Sequence, residues 1–439
     1  MEKAYIDSLW VLVSASIVFF MQAGFMCFEV GAVREKSIAS VAMKNVIDWV
    51  VVGASFYIIG FGVMFGKSAG GFLGTNLFIP GSTTFGDPEE KLRAFTFVIF
   101  QTAFATTAAT IVSGALAERI RFINYIMISF LVGVVIYPVY GHWAWGDLWF
   151  PDNQTLLASR GFIDFAGASV VHLAGGTVAL IGATIIGPRI GRFDEDGSLS
   201  EEFQAYSVPW TVLGTMILAF GWWGFNGGSV LAFTDAVPLI ILNTYLSAIA
   251  AGSVALAHAW LLQGKECLYE KLVGGVLGGF VAITACAHVM EPPVSLAVGA
   301  VAGLVHNLAF DVGLKRFKLD DPVGAIPVHG ACGVWGTLAV ALFGRLDAFG
   351  GHTRFEQLGI QGLGILACVI WSGTVSFVAF VAMRKTVGLR VSAQAELDGI
   401  SLADETLATR LDAVDMDALQ ALLGSDKESD ASRKVAVGE

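Results

Sequence analysis

LWVLVSASIVFFMQAGFMCF, running from Leu9 to Phe28, is twenty residues without a single charge. A stretch of that length and character exceeds the roughly 18 apolar residues that mark a membrane-crossing helix. It lacks the basic leader of a cleaved signal peptide, and it is longer than the apolar core of one. The rest of the chain repeats the pattern. Of 439 residues, 55% are hydrophobic and only 14% charged, with a mean hydropathy of +0.69. A soluble chain carries about 25% charged residues. The 52 glycines fit helices that pack closely inside a bilayer.

Runs of this kind, interrupted by charged or Gly/Pro segments, predict about eleven spans, near 8–33, 41–66, 94–117, 123–143, 164–187, 210–230, 237–262, 272–290, 294–313, 324–344 and 360–383. The expected fold class is therefore an all-α integral membrane protein. Basic residues crowd alternate loops: Arg34 and Lys36, Arg119 and Arg121, Arg189 and Arg192, Lys265 and Lys271, then Lys315, Arg316 and Lys318. The positive-inside rule puts those loops and the carboxyl terminus in the cytoplasm, with the amino terminus outside. The net charge of −11 is concentrated late in the chain, where eleven acidic residues face four basic ones after Val391. That divides the sequence into a transmembrane domain, 1–390, and an acidic tail, 391–439. In the tail Leu407, Leu411, Val414, Ala418 and Leu422 fall near helical spacing, so an amphipathic helix near 405–423 is expected, with an apolar face for a cytoplasmic partner.

The fifth span contains VVHLAGGTVAL and the tenth PVHGACGVWGTLAVAL. Five spans separate them, so the chain would consist of an inverted five-helix repeat plus a C-terminal helix. Such repeats set their substrate path at the interface between halves. Glu29, Asp164, His172 and His329 are ionisable groups within spans, where a charge is costly and functional by default. A lone intramembrane histidine is as readily a core residue bonded to a backbone carbonyl; the matching VH contexts of His172 and His329 favour a working pair. Two buried imidazoles can pass a proton or bond a polar guest without holding a fixed charge. Asp164 precedes His172 by eight residues, two helical turns, which would put both on one face. It reads equally as an N-cap and as a source of cation-favouring potential at the outer entrance. Trp145 and Ser229 sit at the outer ends of the fourth and sixth spans, and Phe104 and Phe225 lie within the third and sixth. An indole face beside a hydroxyl suits a small cation that also donates hydrogen bonds. Taken singly, a terminal Trp is an interfacial anchor and a mid-span Phe is packing.

The five cysteines are scattered, without a C-x-x-C pair, and read as packing thiols. No nucleophile–base set, phosphate-cradling loop or metal cluster is legible, so no enzyme, cofactor or nucleic-acid role is expected. NQT at Asn153 has the form of a glycosylation sequon.

Seven ordered segments carry a resemblance: MQAGFMCFEVGAVREKS from Met21, VAMKNVIDW from Val41, FQTAFATTAATIVSGALAERIRF from Phe100, DFAGASVVHLAGG from Asp164, GWWGFNGGS from Gly221, LDDPVGAIPVHGACG from Leu319 and GLRVS from Gly388. Together, across residues 8–395, they resemble the ammonium transporter (Amt/Mep/Rh) family, and its Amt branch most. The resemblance implies an eleven-helix protomer in the cell membrane, a homotrimer and one pore per subunit. It implies that Trp145 and Ser229 form an outer ammonium site, with Asp164 below. Phe104 and Phe225 would form a stacked gate lined by Phe100 and Trp222, and His172 and His329 the twin-histidine pair.

Two features depart from the family pattern. Pro327, two residues before His329, is expected to loosen its helix. GISLADET stands where members that bind a PII-type regulator carry a His-Gly-Glu run. Some members are ammonium sensors joined to signalling modules, so transport and reception both remain open readings.

Overall fold

The computed structural model describes residues 2–200, 203, 205–263 and 267–400. Among these, ten helices are long and apolar enough to cross a bilayer. They are α1 (Glu2–Ala32), α2 (Glu35–Phe65), α3 (Pro88–Ala115), α4 (Phe122–Trp145), α5 (Ala168–Ile186), α6 (Val208–Gly228), α7 (Ala236–Leu262), α9 (Pro292–Arg316), α10 (Ile326–Phe343) and α11 (Arg354–Thr386). The eleventh, α8 (Leu268–Thr284), has 17 residues, about 25 Å of helix. The expected eighth span, 272–290, therefore finishes not as helix but as successive turns through Val289. The protein is an all-α, multi-pass membrane protein.

The helix ends follow local chemistry. Asp87 caps α3 by accepting the Glu90 N–H at 2.8 Å, with Pro88 at the first helical position, where its missing N–H is no loss. Thr353 and Glu356 form a reciprocal capping box at the start of α11. Helix α3 is the central element and the most buried of the ten, whereas α11 runs along the outside of the bundle and is the least buried.

The two halves meet pairwise, α1 against α6 and α5 against α10. Helices α5 and α10 begin alike. Each opens with one widened, π-type turn, Ala168–Leu173 and Ile326–Ala331, and each turn contains the VH pair. Pro327 is not the cause of the widening. It lies in the first turn of α10, where proline is tolerated, and α5 widens without one. A few residues on, a Cβ on Gly176 would lie 2.5 Å from the Gly330 nitrogen and 2.7 Å from its Cα. Glycine at 176 therefore lets the two backbones touch, close to both histidines.

The basic loops converge at one end of the bundle, opposite Trp145. Arg34 Nε lies 2.5 Å from Glu118, Arg189 pairs with both Glu118 and Asp320, and Arg119 Nη2 donates to the Asp320 carbonyl at 2.6 Å. Burial alone would raise the Glu118 carboxyl, but Arg189 and then Arg34 more than offset it and hold it below the usual range. Asp320 is likewise opposed by burial, and Arg189 and Arg119 hold it well below. Burial pushes Arg119 down to about 10. A short helix, α12 (Ala393–Asp398), docks on this cluster: Glu396 accepts from Arg390 and from the Ile190 N–H, and Lys36 Nζ donates to the Glu396 carbonyl at 2.8 Å. The amphipathic segment expected near 405–423 lies outside the described residues. Asn153 proves to be a structural residue. Its amide accepts from the Ser68 N–H at 3.0 Å and donates to the Gly66 and Gly146 carbonyls, and a glycan on its nitrogen would take one of those two donated bonds away.

Candidate conduction site

At the end opposite the arginine cluster, a cavity of about 270 Å³ is bordered by Phe100, Gln101, Phe104, Trp145, Asp164 and Ser229. Trp145 ends α4, and its indole N–H donates to the Asp164 carbonyl at 2.6 Å. With the N–H committed, the ring face is what the indole offers a guest. Ser229, one residue past α6, donates its hydroxyl back to the Phe225 carbonyl at 2.8 Å, so its oxygen lone pairs remain available as acceptors. Gln101 escaped the sequence reading as a site residue. Its Oε1 is buried with no partner among the described residues.

Asp164 belongs to a connection, not to the helix. Helix α5 starts at Ala168, after Gly167 at φ +103°, so the two-turn spacing that would align Asp164 with His172 does not exist. The carboxylate folds over the helix start instead. It accepts from the Gly167, Ser169 and Val170 N–H groups at 3.2, 2.9 and 2.8 Å and from the Ser169 hydroxyl at 2.6 Å. Capping is its visible work, satisfying donors that the first helical turn leaves open. Gly167 is required there twice over. Its φ is one that L side chains avoid, and a Cβ would meet Val171 at 2.8 Å and Trp145 at 2.9 Å.

Below the cavity Phe104 and Phe225 stack, with ring centroids 4.0 Å apart and planes 19° apart, each no more than 1% exposed. Phe100 lies 4.6 Å from Phe104, and Trp145 approaches Phe104 edge-on at 6.3 Å. Side chains from α3, α4 and α6 thus meet in one aromatic plug. The ring of His172 follows, 5.5 Å from Phe225 and 5.4 Å from Trp222. His172 and His329 are 5.1 Å apart by centroid, and their Nδ1 atoms lie 3.1 Å from one another, a hydrogen bond between the rings. The His172 Nε2 is buried without a partner among the described residues.

Helix α8 supplies what sequence spacing did not reveal. Phe280 stacks on Trp222 at 5.0 Å, and Thr284 accepts its indole N–H at 3.0 Å, fixing the Trp222 ring beside His172. Beyond His329 a void of about 20 Å³, room for about one water, is bordered by Phe25, Phe28, Glu29 and Val328. A further cavity of about 100 Å³ follows, sharing Phe28 with that void and bordered by Arg34 and Arg189.

The expected site residues therefore either border the outer cavity, as Phe100, Phe104, Trp145, Asp164 and Ser229 do, or follow in successive ring contacts from Phe225 through His172 and Trp222 to His329. Between the outer cavity and the void, the stretch from the Phe104–Phe225 stack through Trp222 to His329 is built of aromatic rings and the two imidazoles. An unpaired ammonium-sized ion would lose tens of kcal/mol of idealised hydration energy in such a stretch, a penalty that a neutral guest escapes.

Comparisons with known proteins identify the family. The profile of the Ammonium Transporter Family matches residues 9–406. A solved structure named Sensor Amt Protein is 40% identical, with a TM-score of 0.88, covering 92% of this chain and 99% of its own. Ammonium transporter Amt2 of Archaeoglobus fulgidus is 36% identical over 416 residues, 91% of this chain and 87% of that one. The crystal structure of Mep2 from Candida albicans is 26% identical, with a TM-score of 0.79 over 88% and 86% of the two chains. This chain is a member of the ammonium transporter family.

Proposed function

We propose that the protein conducts ammonium by shedding its proton. Ammonium is drawn to the outer cavity by the Trp145 face and by the oxygens of Ser229 and Gln101, and ammonia then passes between Phe104 and Phe225. His172 and His329 hydrogen-bond the guest and receive the proton it leaves behind. The carrying observation is the hydrogen-bonded imidazole pair directly beneath a closed aromatic stack. Potassium also binds an aromatic face, but it has no proton to shed and cannot become neutral. Selectivity on this reading comes from the dryness of the path more than from affinity at its mouth. Asp164 acts through the helix start that it caps, holding Trp145 by its carbonyl. The basic loops favour a cell-membrane orientation with the amino terminus outside. The family likeness favours a homotrimer with one pore per subunit and leaves the acidic tail for a cytoplasmic partner.

The test is a charge-sensitive flux assay in proteoliposomes: ammonium gradients should drive transport, and potassium gradients should not.

A second reading has a specific support, the likeness to a protein named as a sensor. On that reading ammonium binds and the tail responds. Saturable ammonium binding without flux above that of empty liposomes would establish it in place of conduction.

A further inference from the structure

Glu29 is a carboxylate on α1 that the outer site and the histidine pair leave unused, and it is 2% exposed. It borders the water-sized void on the far side of His329 from the Phe104–Phe225 stack. Both side chains hydrogen-bonded to it are neutral: Asn45 Nδ2 donates at 3.1 Å and the Ser113 hydroxyl at 2.9 Å, each to Oε2. Thr110 and Gln22 extend this polar shell through Asn45, linking α1, α2 and α3. Two charged side chains of α2, Asp48 and Lys44, face Glu29 without a hydrogen bond to it among the described residues. Tyr125 of α4 donates to Asp48 at 2.6 Å, joined by Ser129 at 3.0 Å, and the buried Lys44 ammonium sits 5.8 Å from the centre of the Tyr125 ring. Among the described residues, the only titratable side chain bordering the void with Glu29 is His329.

We infer that Glu29 is the inner proton acceptor of the pore, taking up through the water-sized void the proton that ammonium surrenders to the histidine pair. The inference rests on the proposed conduction. The proton leaves ammonium for an imidazole, and ammonia moves on. A water in the void carries the proton from His329 to a Glu29 carboxylate oxygen, which becomes a carboxylic acid. The inner cavity then receives the proton from Glu29 and the ammonia from the pore, and ammonium forms again. One proton and one ammonia enter and one of each leaves. A carboxylate with neutral hydrogen-bond donors suits this work, because it gains and loses a proton without breaking an ion pair. Asn45 and Ser113 are positioning residues: they aim the carboxylate and can bond either of its forms.

The experiment reads two quantities in the same proteoliposomes, the ammonium-driven current and the ammonia-driven change in internal pH. With Glu29→Gln, which keeps the shape and removes the acceptor, the current should fall at least tenfold while the ammonia flux stays within about twofold. Glu29→Asp should restore part of the current, a recovery that a packing role would not produce. Undiminished current in Glu29→Gln overturns the inference. So does an equal loss of current and flux in both variants when their assembly and melting match wild type. If Glu29→Gln does not fold, Glu29→Asp decides alone, with unchanged current-to-flux ratio counting against the inference. A wild-type protein that moves ammonia without current refutes the role of Glu29 and leaves conduction standing. A wild-type protein that moves neither shows that conduction itself is wrong.

Discussion

Replacing Trp145 by leucine separates two jobs that one side chain performs. The indole face borders the outer cavity, while the indole N–H holds the Asp164 carbonyl at 2.6 Å in a buried setting. Leucine loses both. A cation–π contact is worth about 0.5 kcal/mol when exposed and about 2 when desolvated. A cavity of about 270 Å³ leaves space for several waters, so the guest there is partly hydrated and the gain falls inside that range. The half-saturating ammonium concentration should therefore rise about two- to thirtyfold, since 1.4 kcal/mol corresponds to a factor of ten. Separately, the Asp164 carbonyl loses its buried donor, which costs about 1–3 kcal/mol of stability. Trp145→Phe distinguishes the two effects. It keeps an aromatic face, the weaker one of a benzene ring, and removes the donor, so its melting temperature should fall with that of the leucine variant while its affinity stays nearer wild type. Current against ammonium concentration gives the first quantity, and thermal unfolding in detergent the second. If the leucine variant melts early yet saturates at the wild-type concentration, Trp145 is only a strut and the outer site lies elsewhere.

Three further outcomes are expected. His172→Ala with His329→Ala empties the dry stretch of acceptors, so ammonium current should collapse, or the new cavity should fill with water and admit potassium; wild-type current with intact exclusion of potassium, in a folded protein, would reduce both rings to packing. Truncation after Ile400 should leave melting unchanged, whereas truncation after Ser392 removes Glu396, frees Arg390 and Lys36 of their bonds to it, and should lower the melting temperature; equal melting would show that α12 contributes nothing. Glu118 and Asp320 are both held below their unfolded values near 4, so their contribution to stability is complete above about pH 4 and is lost as the pH falls through the depressed folded values. Arg189→Met, which removes the partner shared by the two carboxylates and leaves Glu118 to Arg34 and Asp320 to Arg192, should lower stability and move acid unfolding to higher pH; an unchanged acid limb in a melting series would remove the cluster from the account.

The spans were legible because lipid sets their length and expels their charges, so that a run such as Leu9–Phe28 needs no tertiary information. The histidine pair was legible for a related reason: two matching VH segments five spans apart have the spacing of an inverted repeat, which sets its halves against one another. Asp164 was read rightly as a cap but wrongly as two helical turns from His172, because a helix start depends on backbone dihedrals. Gly167 at φ +103° ended the assumption of helical spacing, and sequence shows a glycine without showing its φ. Pro327 was misread likewise, since its effect depends on whether it falls in a first turn or an interior one. Gln101, Phe280 and Thr284 escaped because their roles come from side chains on other helices. An unpartnered amide oxygen or a Trp222 ring held by α8 is a property of packing, for which the only sequence signal was a polar residue within the FQTAF run.

The contact between the two Nδ1 atoms carries a last consequence. A hydrogen bond has one donor, so one ring must bear hydrogen on Nδ1 and present a bare Nε2, while the other has a bare Nδ1 and bears hydrogen on Nε2. While both rings are neutral they therefore occupy opposite tautomers, and the path meets one lone pair and one N–H in sequence. Delivering a proton to the lone pair, shifting the shared hydrogen across 3.1 Å and releasing the proton from the other ring leaves both tautomers exchanged. The pair then points the other way and must be turned back before it can repeat the act in the same direction. In a fold whose halves are inverted copies, the exchanged state seen from inside is the starting state seen from outside. A relay of this form has a polarity that each passage reverses.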